Sequence, residues 1–262
     1  MDVAARWVEL MQRPEAALPL DEAALVIAAH ADPTLDVSAQ LRRLDDIAGE
    51  VAQSDTDGVC RVLFAQIGLR GDDHSYDDPR NSYLNRVLDR RMGIPISLSV
   101  LLIEIGRRCG VQLEGVGMPG HFLVRDAGSP ERLIDAFAGG ERLDRSDCER
   151  LVSRIAGRPT KLAPAMLATT GRRAILARML ANLDRSFERR SDHRSLLWVT
   201  RLRLRVPDLP LGDRLQLAGR LGSLGCFDEA ADVLSDLADA ELEPDLTNML
   251  RSEAVSIRAR LN

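Results

Sequence analysis

The sequence predicts an α+β protein with N-terminal helices, a small antiparallel sheet packed on a central helix, and an all-α region after them. Three observations predict this order. Residues 1–75 carry apolar positions at helical spacing, as in the stripe of Leu41, Leu44, Ile47 and Val51. Short apolar segments bounded by Gly or Pro follow within residues 113–137. Beyond residue 160 the periodicity is helical to the end of the chain.

The N-terminal helices are delimited by prolines and by acidic residues that can cap a helix. Pro14 and Pro19 end the first, Asp32 and Pro33 end the second, and Asp36 begins the third. The predicted spans are residues 3–12, 21–30, 36–53 and 57–68. These helices are interpreted as a scaffold for the central helix and the sheet.

The central helix is predicted over residues 97–109, where Leu98, Leu101, Leu102 and Ile105 recur at helical spacing. Pro95 favours an extended residue before it, so Ser97 is expected at or near the helix N-cap. Two roles for its hydroxyl stay open. It can bond an orphan amide of the first turn, or it can act as a nucleophile where the helix N-terminus favours a developing anion.

Three strands are predicted after this helix, at residues 113–118, 121–125 and 132–137. His121 opens the second strand after the turn Pro119-Gly120, and Asp135 lies within the third. Neighbouring antiparallel strands would place the imidazole within hydrogen-bond reach of the carboxylate, roughly 2.6 to 3.2 Å. Such a pair can serve as a base and its orienting group, or as a satisfied structural pair.

The block YDDPRNSYLNRVLDRRMGIPISLSVLLIEIGRRCGVQLEGVGMPGHFLVR, residues 76–125, resembles the signature of the bacterial transglutaminase-like family named after SirB. Members of that family often carry tetratricopeptide-like helices behind this domain. The resemblance implies a transglutaminase or papain-like core, in which a Cys at the start of the central helix works with a His and an Asp on neighbouring strands. His121 and Asp135 match the His and the Asp of that pattern.

The nucleophile of the family pattern has no matching cysteine in this chain. Aligned back from Gly110, its position falls at residues 95–97, and none of the cysteines lies near it: Cys60, Cys109, Cys148 and Cys226. A serine hydroxyl needs a well-aligned base and an oxyanion hole to replace a thiol. In a papain-like arrangement a side-chain donor upstream of the nucleophile completes that hole, which makes Asn85 a candidate; it could instead bond loop backbone.

Other polar residues near this block are given surface roles. Arg90 and Arg91 could bind a carboxylate ligand, or could pair with Asp89 and Glu104. The acidic segment at residues 70–79 is interpreted as a solvated loop and not as a metal site. The cysteines, unevenly spaced, are expected to be reduced, and no metal or cofactor is predicted.

Net charge and hydropathy narrow the classes of partner and the cellular location that the sequence predicts. The formal net charge of −5 argues against a general nucleic-acid binder. The N-terminal residues lack the pattern of a signal peptide, and nowhere do about 18 apolar residues run together. The sequence therefore predicts a soluble cytoplasmic protein that is not associated with a membrane.

A domain boundary is predicted at Gly157-Arg158-Pro159, which gives domains over residues 1–157 and 158–262. The second contains predicted helices at residues 170–189, 192–205, 211–224, 227–240 and 245–261. Residues 215–245 resemble one tetratricopeptide unit, with Gly225 at the turn between its helices. A single repeat must stack on neighbouring helices, and the groove so formed predicts a protein or peptide partner. The oligomeric state is left open.

Two functions from different classes are consistent with these patterns. The first is a binding or regulatory protein, with a transglutaminase-like domain that lacks the nucleophilic Cys and a helical interaction module. The alternative is an amide-bond hydrolase or acyltransferase that uses Ser97, His121 and Asp135, with Asn85 at the oxyanion. A purely structural role of the helices, as a cover for the small sheet, is a third hypothesis.

Overall fold

The computed structural model describes residues 2–240 and 243–261. The chain divides into two compact units, the first ending at Ser186 and the second beginning at Phe187. The predicted boundary at residues 157 and 158 therefore lies inside the first unit. Helix α8, Arg172–Arg189, accounts for the difference. Its Arg172 donates to the backbone oxygen of Leu18 at 2.7 Å, and its Arg173 donates to that of Arg13 at 2.7 Å.

The first unit begins with helices that carry polar N-caps, as the sequence predicts. Asp2 and Asp36 each accept backbone N–H groups of the first turn of their helix. The helices before the site are α1 Val3–Gln12, α2 Leu20–Ala31, α3 Val37–Gly49, α4 Thr56–Cys60 and α5 Leu84–Arg90. Helix α3 ends four residues before the predicted limit at residue 53, and α4 continues as a π-helical turn, Arg61–Gln66. Buried apolar residues occur nearly all round α2, which identifies it as a core helix.

The central helix α6, Pro95–Arg108, is buried along most of its length. Pro95 occupies its first position, where the missing N–H is no loss and the fixed φ suits a helix. The N-cap is Ile94, so Ser97 lies near the N-cap, as expected, and not at the N-cap position itself. Ser97 stands at the third helical position, and its hydroxyl reaches back to the first turn.

Within the described part of the chain a five-stranded antiparallel sheet follows α6. Its strands are β3 Leu113–Val116, β4 Leu123–Asp126, β5 Ser129–Asp135, β6 Glu141–Leu143 and β7 Thr169–Thr170, in the order β6-β5-β4-β3-β7. The register pairs Val116 with Leu123 and Val124 with Ile134. A separate two-residue parallel pair joins β1 Arg70–Gly71 to β2 Met92–Gly93.

The predicted sheet is correct in its three inner strands and incomplete at both edges. Strands β6 and β7 are too short to produce an alternating pattern, so the sequence does not reveal them. The region after residue 160 is therefore not helical throughout, because β7 pairs with β3 there. Helix α7, Arg145–Ala156, follows β6 and is capped by Asp144.

The second unit consists of helices that pack in chain order. They are α9 His193–Leu204, α10 Leu211–Ser223, α11 Phe227–Asp239 and α12 Pro244–Arg258. Their apolar faces form one cluster in which Ala218 and Ala230 are fully buried. Gly225 takes a φ of +80° in the turn between α10 and α11, a conformation that glycine adopts without strain. The part of the chain that the structure describes contains no helix long and apolar enough to cross a membrane.

Candidate functional site

A tight turn places His121 directly before β4, the central strand of the sheet. Gly120 has a φ of +72°, and the His121 N–H donates to the backbone oxygen of Met118 at 3.1 Å. The predicted strand at residues 121–125 starts later than expected, because β4 begins at Leu123. His121 therefore lies in the turn, and its ring is not tied to the alternation of the strand.

The imidazole of His121 binds the carboxylate of Asp135. Nε2 lies 2.9 Å from Asp135 Oδ2, which confirms the predicted hydrogen bond. The other carboxylate oxygen, Oδ1, accepts the N–H groups of Phe137 at 2.9 Å and Ala138 at 3.2 Å. The carboxylate is thus fixed from both sides, and it fixes the ring in turn, which leaves Nδ1 for another partner.

Ser97 is occupied by backbone groups. Its Oγ lies 2.6 Å from the backbone oxygen of Asn81, to which it donates, and it accepts the N–H of Ile94 at 3.1 Å. The side chain is fully buried, with 0% exposure. The hydroxyl therefore caps the first turn of α6. It does so from the third helical position, by accepting the N–H of the N-cap residue.

A cavity of about 300 Å³ opens beside His121. The start of α6 contributes Pro95 and Ile96 to its wall, and the turn before β4 contributes Gly120, His121 and Phe122. Ser97 is not among the residues that line it. The residues that the helix start contributes to the cavity are therefore apolar.

The remaining wall is cationic and aromatic. Tyr76 lies on one side, and the face of α8 that carries Arg178, Asn182 and Arg185 lies on the other. Arg178 donates to the backbone oxygen of His121 at 3.0 Å, and its guanidinium carbon lies 5.3 Å from the ring centroid of Phe122. Burial, together with the charge of Arg185, lowers the pKa of Arg178, while burial raises the pKa of Tyr76.

The other predicted polar residues lie away from the cavity wall. Asn85 is buried in the first turn of α5, and its Oδ1 has no hydrogen-bond partner among the described residues. Arg90 contacts neither Asp89 nor Glu104 in any ion pair of the described chain; it binds Asn81 Oδ1 at 2.8 Å and Asp72 at 3.2 Å.

The segment at residues 70–79 is exposed over residues 73–77, as its interpretation as a solvated loop predicts, and Asp72 anchors it to the protein interior. Asp72 is buried and accepts the N–H of Ser75 at 2.8 Å and the side-chain amide of Asn81 at 3.1 Å. Burial raises the pKa of Asp72, but the Ser75 N–H, the Asn81 amide and Arg90 outweigh it and hold that pKa below its ordinary value. Within residues 2–240 and 243–261, no cluster of three or more His, Cys, Asp or Glu side chains could hold a metal ion.

The cysteines are free thiols, and none of them lines the cavity. Burial raises the pKa of Cys60 to about 11 and that of Cys148 to about 11. A thiol with such a pKa is protonated at neutral pH and is a poor nucleophile.

Comparison with known proteins gives the family to which this geometry belongs. Residues 36–181 match the family model of the transglutaminase-like superfamily. The chain belongs to the transglutaminase-like superfamily. The transglutaminase-like domain thus covers α3 to α7, the whole sheet and much of α8.

Relatives extend the similarity over most of the chain. A UPF0162 protein of Xylella fastidiosa is 37% identical over 240 residues, which is 83% of this chain and 85% of that protein. A UPF0162 protein of Pseudomonas aeruginosa is 36% identical over 183 residues, 66% of each chain. F-box only protein 21 of Mus musculus is 34% identical over 136 residues, 48% of this chain and 21% of that protein. No solved structure matches the chain.

Within the transglutaminase-like domain the sequence identified one part of the site and missed another. The sequence predicts the pair because His121 opens one predicted strand and Asp135 lies in the next, although His121 itself lies in the turn before β4. Arg178 and Arg185 were missed, although with Asn182 they recur at the helical spacing of one face of α8. That spacing marks a face of a helix, and nothing in the sequence indicates that the face meets a turn 57 residues earlier.

Proposed function

We propose that this protein is a binding protein in which the transglutaminase-like domain holds a ligand beside His121 and does not perform acyl transfer. The observation that carries the proposal is the position of Ser97. Its hydroxyl is fully buried and bonded to Asn81 and Ile94, while Pro95 and Ile96 face the cavity. An acyl-transfer mechanism needs a nucleophile within reach of the imidazole, and the start of α6 offers an apolar surface there.

The His121–Asp135 pair has a role that does not require catalysis. Asp135 satisfies the imidazole and two backbone N–H groups in a buried place, and unpaired polar groups there would be costly. The oriented ring also presents Nδ1 as a hydrogen-bonding group to a bound ligand. The pair thus supports both the ends of strands β4 and β5 and a binding site.

An acylation experiment separates this proposal from the alternative hydrolase or acyltransferase using Ser97, His121 and Asp135. The full chain is mixed with a p-nitrophenyl ester, and the burst of released nitrophenolate is measured. We expect wild type to give no burst beyond that of the Ser97→Ala variant. Ile96→Cys serves as the positive control, because it places a thiol on the cavity wall, and it should be acylated. A wild-type burst that disappears in both Ser97→Ala and His121→Ala would establish the enzyme and end the proposal.

We further propose that the helices of the second unit hold a protein or peptide segment, as tetratricopeptide-like helices of the SirB-type family would. A cavity of about 450 Å³ in this unit, lined by residues of α9 and α10, supports this. Gly219 lies on its wall, and a side chain added there would meet open space. Gly219→Arg should therefore fill the cavity without disturbing α10.

The matched control is Gly49→Arg, since Gly49 also lies on a helix with open space at its Cβ position. Proteins captured by the immobilised full chain should be lost with Gly219→Arg and kept with Gly49→Arg. Equal capture by both variants would remove the second unit as the partner site.

A further inference from the structure

The cavity beside His121 carries positive charge without an acidic counterpart on its wall. Arg178 and Arg185 stand on one face of α8, and the lining residues include no Asp or Glu. No ion pair of the described residues joins either guanidinium to a carboxylate. The chain as a whole has a net charge of −5, so the cationic cavity is a local departure from the overall charge.

Arg178 is the better buried of the two and is held in place by neutral groups. It is half-buried and donates to backbone oxygens of Met118 at 3.4 Å and His121 at 3.0 Å, over the ring of Phe122. A charge that is partly withdrawn from water is normally offset by a charge of opposite sign. Here the neighbouring charge of Arg185 has the same sign and, after burial, contributes to the lowered pKa of Arg178.

Arg185 is exposed and positioned by its neighbour on the helix. Its Nη2 donates to Asn182 Oδ1, three residues earlier on the same face. This contact orients the guanidinium of Arg185, a planar group with several N–H donors, beside the cavity that Arg178 also lines. A guanidinium binds a carboxylate bidentately, and two of them around one cavity form a strong anion receptor.

The rest of the wall favours an organic anion over an inorganic one. Pro95, Ile96 and Phe122 are apolar, and a volume of about 300 Å³ accommodates a carboxylate together with a short carbon stem. Tyr76, with 43% exposure, adds an aromatic surface beside the arginines. A carboxylate borne on a peptide matches these surfaces, because its stem would contact the apolar wall.

We propose that this cavity binds a carboxylate group of a peptide, with Arg178 and Arg185 holding the carboxylate and the apolar start of α6 contacting its stem. The inference rests on the proposed function, since it names the class of ligand that the non-catalytic site receives. A glutamate or aspartate side chain and a peptide C-terminus carry the same group, and the experiment distinguishes them.

The test is a titration of the full chain with capped tripeptides, followed by nuclear magnetic resonance. Ac-Ala-Glu-Ala-NH2 carries a side-chain carboxylate, Ac-Ala-Ala-Ala-OH carries a terminal one, and Ac-Ala-Gln-Ala-NH2 is the neutral control. We expect one of the carboxylate peptides to bind at least tenfold more tightly than the glutamine peptide. Arg185→Gln should remove that preference, while Arg132→Gln, which alters an exposed arginine on β5, should keep it.

Arg185→Gln is the decisive variant because its exposed side chain can be replaced without loss of the fold. Arg178→Gln should weaken peptide binding more strongly. Its result counts only if the nuclear magnetic resonance spectrum shows that the variant is folded. An affinity of both carboxylate peptides no higher than that of the glutamine peptide, no binding of any peptide at about 20 mM, or an unchanged preference in Arg185→Gln would each overturn the inference. These results would leave the absence of acyl transfer standing, since that depends on the nitrophenolate burst.

Discussion

The two sides of the cavity beside His121 differ in how their polar groups are used. On the sheet side, His121 and Asp135 bind each other and keep a ring nitrogen available. On the helix side, the hydroxyl of Ser97 is turned into the protein and only Pro95 and Ile96 meet the cavity. The His121–Asp135 pair therefore has a structural reason to be kept, because the carboxylate also accepts two backbone N–H groups in a buried place. A recognisable fold supports an activity only where the whole constellation of reacting groups is present.

The largest effect is expected from removing the carboxylate on the sheet side. Asp135→Ala leaves the imidazole and the N–H groups of Phe137 and Ala138 without their acceptor in a buried place. We expect the free energy of unfolding to fall by about 3 kcal/mol. Urea denaturation measures this, with Asp73→Ala in an exposed loop position as control. A loss no larger than that of the control would mean that the pair does not support the fold.

A smaller effect is expected on the helix side. Ser97→Ala removes the acceptor of the Ile94 N–H and the donor to the Asn81 oxygen, so it should cost about 1 to 2 kcal/mol in unfolding free energy. Ser97→Thr keeps the hydroxyl and serves as the comparison, although its extra methyl must fit in a buried position. An unfolding free energy that is unchanged in Ser97→Ala would show that the hydroxyl is not part of the cap, and would return it to consideration as a reactive group.

The smallest effect is a pH dependence reported by Cys148 on α7. Burial chiefly, with Asp147, Asp144 and Asp135, raises the pKa of Cys148 to about 11, against about 8.5 for a thiol in the unfolded chain. Because the folded state holds the proton more tightly, this contribution to stability is complete below about pH 8.5 and is lost as the pH rises to about 11. We expect a loss of about 1 kcal/mol over the first unit of this range, from about pH 8.5 to about pH 9.5, that is absent in Cys148→Ala, measured as the difference between their urea midpoints. Parallel curves for the two proteins would contradict the burial of this thiol behind the sheet.

The sequence predicted those parts of the molecule that local patterns specify. Periodicity located α6 and the helices of the second unit, and the polar residue Asp36 placed the start of α3. The strand order brought His121 and Asp135 together. In each case the information lies within a short window of the chain.

The features that the sequence did not predict depend on contacts between distant segments. The partner of Ser97 is the backbone oxygen of Asn81, 16 residues earlier, and a backbone acceptor has no signature in a sequence. The choice between cap and nucleophile could not be made without it. Strand β7 is defined by its pairing with β3, more than 50 residues earlier. Helix α8 packs on the first unit through hydrogen bonds to residues more than 150 positions away.

Asn81 binds three separate parts of the molecule through three different groups. Its backbone oxygen accepts from Ser97, its Nδ2 donates to Asp72 and to the backbone oxygen of Ser75, and its Oδ1 accepts from Arg90. The loop that carries Tyr76 to the cavity and the first turn of α6 are thereby fastened to one buried residue. Amide hydrogens of this loop and of that turn should then exchange with solvent in a single cooperative opening, so that the cavity wall is lost or kept as a unit and does not loosen residue by residue.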